Sequence, residues 1–406
     1  MSQVPSCGEC RRGCKTVLKS CTRCGLPETY ETIEFDEEGV CNICRAHAHK
    51  RENIDWAAKK PVFDAIIEEY RGKYEYDCIV PFSGGKDSTF TLYHLVKEYK
   101  VKPLVVQFNH GFMRPTLLAN NERTFKTLGV DVLSFTPNWH VVRRLMLEAL
   151  IRKGDFCWHC HTGIFSYPMH VALKYQTPLV IWGEPSTEYT AYYDAKDERE
   201  EEVDETRFNR FVNLGVTAED MGGMIAKDFD FDPRDLKPYT YPAMKDLRKL
   251  RVRSICLGSY IPWDTKTQSA LIQKELGWKG DQVEGMPWDL YPYEKIECYM
   301  QGVRDYIKFL KRGYSRVSQM VALDQRNGRM TTDVANDIVR QFEGTKPPAL
   351  PLFLDYVGLT EEQFNDIVLK TVVRPHEPDF AAIQEAPKTW DNDRWYRETI
   401  PLRLKK

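Results

Sequence analysis

The period of hydrophobic and polar positions changes several times along the chain, and each change marks an element. Residues 61–70 carry apolar side chains at helical spacing and predict an amphipathic helix leading into the next region. Residues 77–82, DCIVPF, are a short apolar run and predict a strand. Residues 89–99 return to helical spacing, with Phe90, Leu92, Leu95 and Val96 on the core side. The alternation then repeats: a strand at 103–108, a helix at 117–128 ended by Gly129, and a strand at 130–135. Helices at 140–152 and 161–174 and a strand at 178–182 follow, and RSICLG at 253–258 reads as a buried strand end. From about residue 302 the pattern is helical and mixed, with a turn or linker at Pro347, Pro348 and Pro351. There is no internal repeat. Strands alternating with helices predict an α/β fold with a doubly wound parallel sheet covered on both faces.

Residues 1–50 break this pattern: they are rich in cysteine and poor in long apolar stretches. Three regions are therefore expected: a cysteine-rich segment at 1–55, an α/β domain at 56–275 and a mainly helical region at 276–406. Residues 194–207, DAKDEREEEVDETR, form a charge run, which reads as a solvated face, with a mobile lid or docking segment as the sharper alternative.

With 406 residues and 42% hydrophobic content the chain can build a sizeable core. Charged residues are 29% of the chain and balance to a net charge of −2, without the basic excess expected of a protein that grips nucleic acid by its phosphates. The N-terminus has no apolar signal region, and no apolar run approaches the length of a membrane span, so a cytoplasmic protein is expected. In a reducing compartment, 12 cysteines point to metal or redox chemistry rather than to disulfides.

Cys21, Cys24, Cys41 and Cys44 form CxxC-x16-CxxC, the spacing of a four-cysteine zinc ribbon. Each CxxC turn presents two thiolates to one ion, Gly25 and Gly39 suit tight knuckles, and residues 32–35 between the pairs can form a strand. With so little core, Zn2+ binding is expected to supply the folding energy of this segment. Cys7, Cys10 and Cys14 precede it without an evident fourth ligand and read as accessible thiols of a tail. Cys78 and Cys298 read as ordinary buried cysteines.

The sharpest motif is Ser83-Gly84-Gly85-Lys86-Asp87-Ser88, between a predicted strand and a predicted helix. Glycines let a backbone approach phosphates, and amides at a helix N-terminus point toward negative charge. Lys86 adds a cation, and Ser83 and Ser88 add hydroxyl donors. The spacing is not that of a Walker A loop. Ligands of doubly wound sheets sit beyond the carboxyl ends of the strands, which brings His110, Gly183 and Glu184 near the same ligand. The expected nucleotide-binding set is therefore Ser83 through Ser88, His110, Gly183 and Glu184, with Lys86, Asp87 and Ser88 carrying catalysis.

The hexapeptide resembles the SGGxDS signature of the PP-loop ATP pyrophosphatases, a HUP-like superfamily. That resemblance implies cleavage of ATP between its α and β phosphates, transfer of AMP to a substrate oxygen and displacement of AMP by a nucleophile, with Mg2+ neutralising the pyrophosphate. Cys157 and Cys160 in CWHC, together with Cys256, resemble the thiolates that hold a 4Fe-4S cluster in a group of PP-loop tRNA thiolases. A zinc site using His159 or His161 and a plain turn without metal stand as the other readings of CWHC.

Longer segments are similar to a narrower family, the N-acetyl sugar amidotransferases of bacterial surface-polysaccharide biosynthesis. They are CTRCGLPET, IEFDEEGVCNIC, CWHCHTG, WGEPSTEY, YIPWDTKTQ, ELGW and KRGYSRVSQMVALDQRNGRMTTDVA, and the likeness covers residues 18–375. It implies adenylation of the acetamido oxygen of a nucleotide-linked N-acetyl sugar, followed by ammonia attack to give an acetamidino group, in LPS O-antigen or related glycan biosynthesis. The chain carries no glutaminase signature, so a HisH-like glutaminase, alone or with a HisF-like subunit, is expected to supply ammonia. The alternatives are an ATP-dependent tRNA 2-thiolation enzyme and, from a different class, a zinc-ribbon adaptor with a nucleotide-sensing domain that turns nothing over.

Overall fold

The computed structural model describes residues 12–183, 208–213, 215–388, 396 and 398. Its described strands form one parallel sheet: β1 (Cys78–Pro81), β2 (Pro103–Phe108), β3 (Asp131–Phe135), β4 (Leu179–Trp182) and β5 (Arg253–Cys256). Their order is β3-β2-β1-β4-β5, and every pairing is parallel. β1 and β2 are buried along their whole length, as strands covered on both faces must be, whereas β3 at the sheet edge is largely exposed. Alternate residues feed two separate cores. Cys78, Val80, Val105 and Ile181 pack on one side, while Ile79, Leu104, Val106 and Val180 pack on the other.

Helices α1 (Asn42–Asn53) and α2 (Trp56–Tyr70) precede the sheet. Crossovers α3 (Lys86–Lys97), α4 (Pro115–Leu128), α5 (Trp139–Lys153) and α6 (Trp158–Tyr175) connect its first strands. Then come α7 (Ala218–Ile225), α8 (Met244–Leu250) and α9 (Thr265–Leu276). Because the chain winds outward from β1 to β3 and then crosses to β4, the order reverses between β1 and β4, the crevice where such sheets bind ligands.

Two expected boundaries shift for visible reasons. The helix expected from residue 61 begins at Trp56, because the Asp55 side chain caps it by accepting from the Ala58 amide at 3.1 Å. The strand expected at residues 32–35 is only a bridge between Phe35 and Cys41. There Thr32 takes a left-handed φ of 57°, and the Asp36 carboxylate accepts from the Val40 amide at 2.8 Å, tightening the chain into a turn.

The C-terminal region is helical: α10 (Gln301–Arg312), α11 (Arg316–Arg326), α12 (Thr332–Phe342), α13 (Leu350–Val357) and α14 (Glu361–Leu369). It shares a core with the sheet domain, where Trp139, Val142, Met146 and Leu150 of α5 pack with Phe309, Leu310, Phe353 and Phe364. Arg114, fully buried, fastens the segment before α10 by donating to the carbonyl of Gln282 and the carboxylate of Glu284, each at 2.9 Å. The four-cysteine knuckle packs its Leu26 and Tyr30 against Tyr314 and Ala322 of this region. Among the described residues no helix is long and apolar enough to cross a membrane.

Candidate functional site

β1 delivers the chain into residues 83–88, and α3 opens from Gly85 as its N-cap. Gly84 has φ +89°, the left-handed region in which a side chain is strained. The loop is tied to itself. The Gly84 amide donates to Ser88 Oγ at 3.1 Å, the Gly85 amide to Ser83 Oγ at 3.3 Å, and the Ser88 hydroxyl donates to the Gly85 carbonyl at 3.2 Å. Trp278 Nε1 donates to the Gly84 carbonyl at 3.2 Å and holds the turn from outside.

Space explains why both glycines are needed. A Cβ on Gly84 would lie 2.2 Å from Asn121 Oδ1, and one on Gly85 would lie 1.9 Å from Glu297 Oε1. Lys86 is buried and pairs with Asp87 at 2.8 Å and with Glu294 at 3.0 Å. Arg316 stands 3.7 Å from the same Glu294 carboxylate. Burial opposes the charge on Glu294, but Lys86 and Arg316 outweigh it and hold the carboxyl at about 2. Asp87 Oδ1, Glu297 Oε2 and both amide atoms of Asn121 are buried without a hydrogen-bond partner among the described residues. Buried polar atoms are nearly always paired, so this concentration of orphans beside one loop marks a place shaped for a polar ligand.

The other expected residues fall at the same edge of the sheet. His110 follows β2, and its Nδ1 accepts from the Phe112 amide at 3.4 Å. Burial, reinforced by His159, pushes the His110 imidazole down to about 4, so it is neutral near pH 7. Gly183 follows β4 and lies against α3, where a Cβ would come 2.9 Å from Thr91 Oγ1 and 3.3 Å from the Asp87 carbonyl oxygen. Glu184, Cys7, Cys10 and the charge run at 194–207 lie outside the described residues. A groove of about 1090 Å³ beside α6 and α7 is lined by His170, Lys237 and Tyr241 and by no residue of the phosphate loop.

The two cysteine constellations differ. The ligand atoms of Cys21, Cys24, Cys41 and Cys44 all lie within 4.8 Å of one another. Cys21 Sγ is 4.0 Å from Cys44 Sγ, and Cys24 Sγ is 3.8 Å from Cys41 Sγ. The Cys41 amide donates to Cys21 Sγ at 3.2 Å and the Cys44 amide to Cys41 Sγ at 3.4 Å, bonds that favour thiolate. The four side chains are buried and converge on one point, the arrangement of a single metal site.

Cys157, Cys160 and Cys256 do not converge in this way. Among the described residues the four-cysteine set is the only such group of three or more candidate ligands. Cys157 caps α6 and Cys160 lies in its first turn, and Cys298 is the further thiol whose charge both would feel. Cys256 ends β5 instead, in register with Trp182. Burial raises the thiol pKa of both Cys157 and Cys160 and pushes Cys298 up to about 12, so all three are protonated thiols near pH 7 in this arrangement.

Asn121, Glu294, Glu297 and Arg316 are site residues that the sequence pattern did not single out. A signal existed for the carboxylates: Glu294 and Glu297 interrupt an aromatic stretch with Tyr291, Tyr293 and Tyr299, and an acid in such a run must find a cation or a ligand.

These two carboxylates begin a segment with a recognisable pedigree. Residues 291–398 match the family described as LPS biosynthesis protein WbpG-like, C-terminal domain. This segment is similar to a WbpG-like domain. That similarity agrees with the sugar amidotransferase likeness of the longer motifs. An uncharacterized protein of Methanocaldococcus jannaschii is 27% identical over 134 residues, or 33% of this chain and 47% of that one, so the chain spans about half of its length. A U34-tRNA thiolase, NcsA from Methanococcus maripaludis with its 4Fe-4S cluster, aligns over 77% of this chain and 88% of its own at 13% identity and a TM-score of 0.29. An overlay that loose supports no transfer of substrate or cluster. The matched segment thus brings Glu294 to Lys86 and Glu297 against Gly85 in the loop that opens α3.

Proposed function

We propose that this chain is an ATP-dependent N-acetyl sugar amidotransferase acting in surface-polysaccharide biosynthesis. The observation that carries the reading is the composite site, in which Lys86 of the phosphate loop pairs with Glu294 of the WbpG-like domain at 3.0 Å. A loop able to cradle phosphates and a domain of lipopolysaccharide enzymes meet at one ion pair, so ATP and the sugar substrate share one crevice.

An amide carbonyl is a poor electrophile, because nitrogen donates into it and its oxygen is a poor leaving group. Adenylation of the acetamido oxygen releases pyrophosphate and turns that oxygen into the leaving group AMP. Ammonia then adds at the imidate carbon, the C–O bond breaks, and AMP departs to leave an acetamidine. The amides and hydroxyls of Ser83, Gly84, Gly85 and Ser88 orient the phosphates, exchanging their present bonds within the loop for bonds to oxygen anions. Lys86 balances phosphate charge while Glu294 keeps it oriented. Neutral His110 can donate or accept a hydrogen bond but brings no positive charge. Asp87 would hold Mg2+, whose charge would offset that of the pyrophosphate. Ammonia comes from a separate HisH-like glutaminase, alone or with a HisF-like subunit.

At the knuckle, sulfur contacts of 3.8 and 4.0 Å agree with the edge of a tetrahedron having zinc–sulfur bonds of about 2.3 Å, which supports structural Zn2+ there. A 4Fe-4S cluster on Cys157, Cys160 and Cys256 is what the tRNA thiolase resemblance implies, and it would require these thiols to draw together from their positions in this structure.

The test is release of AMP and pyrophosphate with ammonium, measured across nucleotide-linked N-acetyl sugars and, in parallel, unmodified tRNA. Stimulation by one of the sugars is expected. Stimulation by tRNA alone transfers the chain to the thiolation enzymes, and release by neither leaves the adaptor reading.

A further inference from the structure

Glu297 has an unusual position for a carboxylate. Its Oε1 presses on Gly85 so closely that a Cβ there would sit 1.9 Å away, while its Oε2 is buried with no hydrogen-bond partner among the described residues. The amides of Gly84 and Gly85, which precede the first turn of α3, donate to Ser88 and Ser83 and not to this carboxylate. On the other flank, Asn121 is 4% exposed, has both amide atoms unpartnered, and its Oδ1 lies 2.2 Å from the Cβ position of Gly84. The two glycines therefore sit between a carboxamide with free donors and a carboxylate with a free oxygen.

We infer that Glu297 makes nucleotide binding at this loop conditional on a divalent cation. The inference rests on the reading of the loop as an ATP site. A phosphate on the Gly84 and Gly85 amides must share its surroundings with the Glu297 carboxylate, and like charges in a shielded crevice repel strongly. Asn121 can donate to the phosphate, but a neutral amide does not cancel that repulsion. A divalent cation does, because hard cations of the Mg2+ type are held by one or two carboxylates together with substrate phosphates. Asp87 Oδ1, also buried and unpartnered, supplies a second oxygen at the same turn. Metal-free ATP is thus repelled, and the metal complex is retained.

The experiment measures ATP affinity of the full chain by calorimetry, with excess EDTA and with Mg2+, for the wild type, Glu297→Gln and Glu297→Asp. Wild type should gain on the order of a hundredfold in affinity from Mg2+, the scale of one shielded charge pair. Glu297→Gln should bind metal-free ATP on the order of tenfold more tightly and lose most of the Mg2+ gain. Glu297→Asp, which keeps the charge, should keep the gain. An equal Mg2+ gain in Glu297→Gln and wild type overturns the inference, as does its loss in Glu297→Asp. Absence of any ATP binding by the wild type with Mg2+ overturns the ATP site itself, an outcome distinct from an unchanged gain.

Discussion

Glu294→Gln isolates the ion pair that joins the two halves of the site. The exchange keeps side-chain volume and removes one charge from a carboxylate that is 1% exposed, 3.0 Å from Lys86 and 3.7 Å from Arg316. The carboxyl is held at about 2, against an ordinary value of 4.5. At 1.36 kcal/mol for each pH unit, that shift corresponds to about 3 kcal/mol of stability, similar to the cost of breaking a buried pair by removing one partner. A depressed acid stabilises the fold above its unfolded value and loses that contribution as pH falls through the folded value. Urea unfolding should therefore put Glu294→Gln about 3 kcal/mol below wild type at pH 7, and the gap should shrink between pH 4.5 and 2, with more than half gone by about pH 3. Both proteins carry the same cysteine knuckle, so acid release of its metal cancels in the difference. A variant as stable as wild type at pH 7, or a gap independent of pH, refutes this account of the pair.

Lys86→Ala should lower AMP formation by a hundredfold or more, the scale of losing one preorganised charge, while far-ultraviolet circular dichroism stays native; wild-type turnover would remove the loop from the chemistry. Metal analysis should find one zinc per chain, absent from a Cys21→Ser, Cys24→Ser variant that also melts lower, and equal zinc in both would dismiss the site. Anaerobic preparations should carry iron and sulfide that Cys157→Ser and Cys160→Ser abolish. Comparing Cys256→Ser with Cys298→Ser then identifies the third thiolate, and iron-free protein with full activity rules the cluster out.

What could be read from the sequence was local. β1 and β2 are continuous apolar runs because both of their faces are covered, and the SGGKDS hexapeptide needs no distant partner to be seen as a strand–loop–helix turn. The four knuckle cysteines converge as their spacing predicts, since CxxC turns impose their own geometry. Pro61 imitated the first residue of a helix, so the true start under the Asp55 cap was missed. The partners of Asn121, Glu294 and Glu297 were not legible because they exist only in tertiary contact: a carboxylate within YPYEKIEC signals that it needs a cation or a ligand but not that it meets Lys86 or Gly85. Likewise nothing local indicated that Cys298 would be a thiol whose charge Cys157 and Cys160 feel.

Exchange of an amide oxygen for nitrogen at the expense of ATP leaves its mark on the mass of the sugar product. Nucleotide-linked N-acetyl sugars would be incubated with the full chain, ATP, Mg2+ and ammonium, with glutamine in place of ammonium as the second arm. Replacing oxygen by NH lowers the product mass by about one unit, and 15N-ammonium restores that unit, so the label identifies the source of the nitrogen. A product of that mass should form with ammonium, together with AMP, and none should form with glutamine until a glutaminase is added. Consumption of ATP to AMP with the sugar mass unchanged, or a product formed from glutamine by this chain alone, would contradict this expectation.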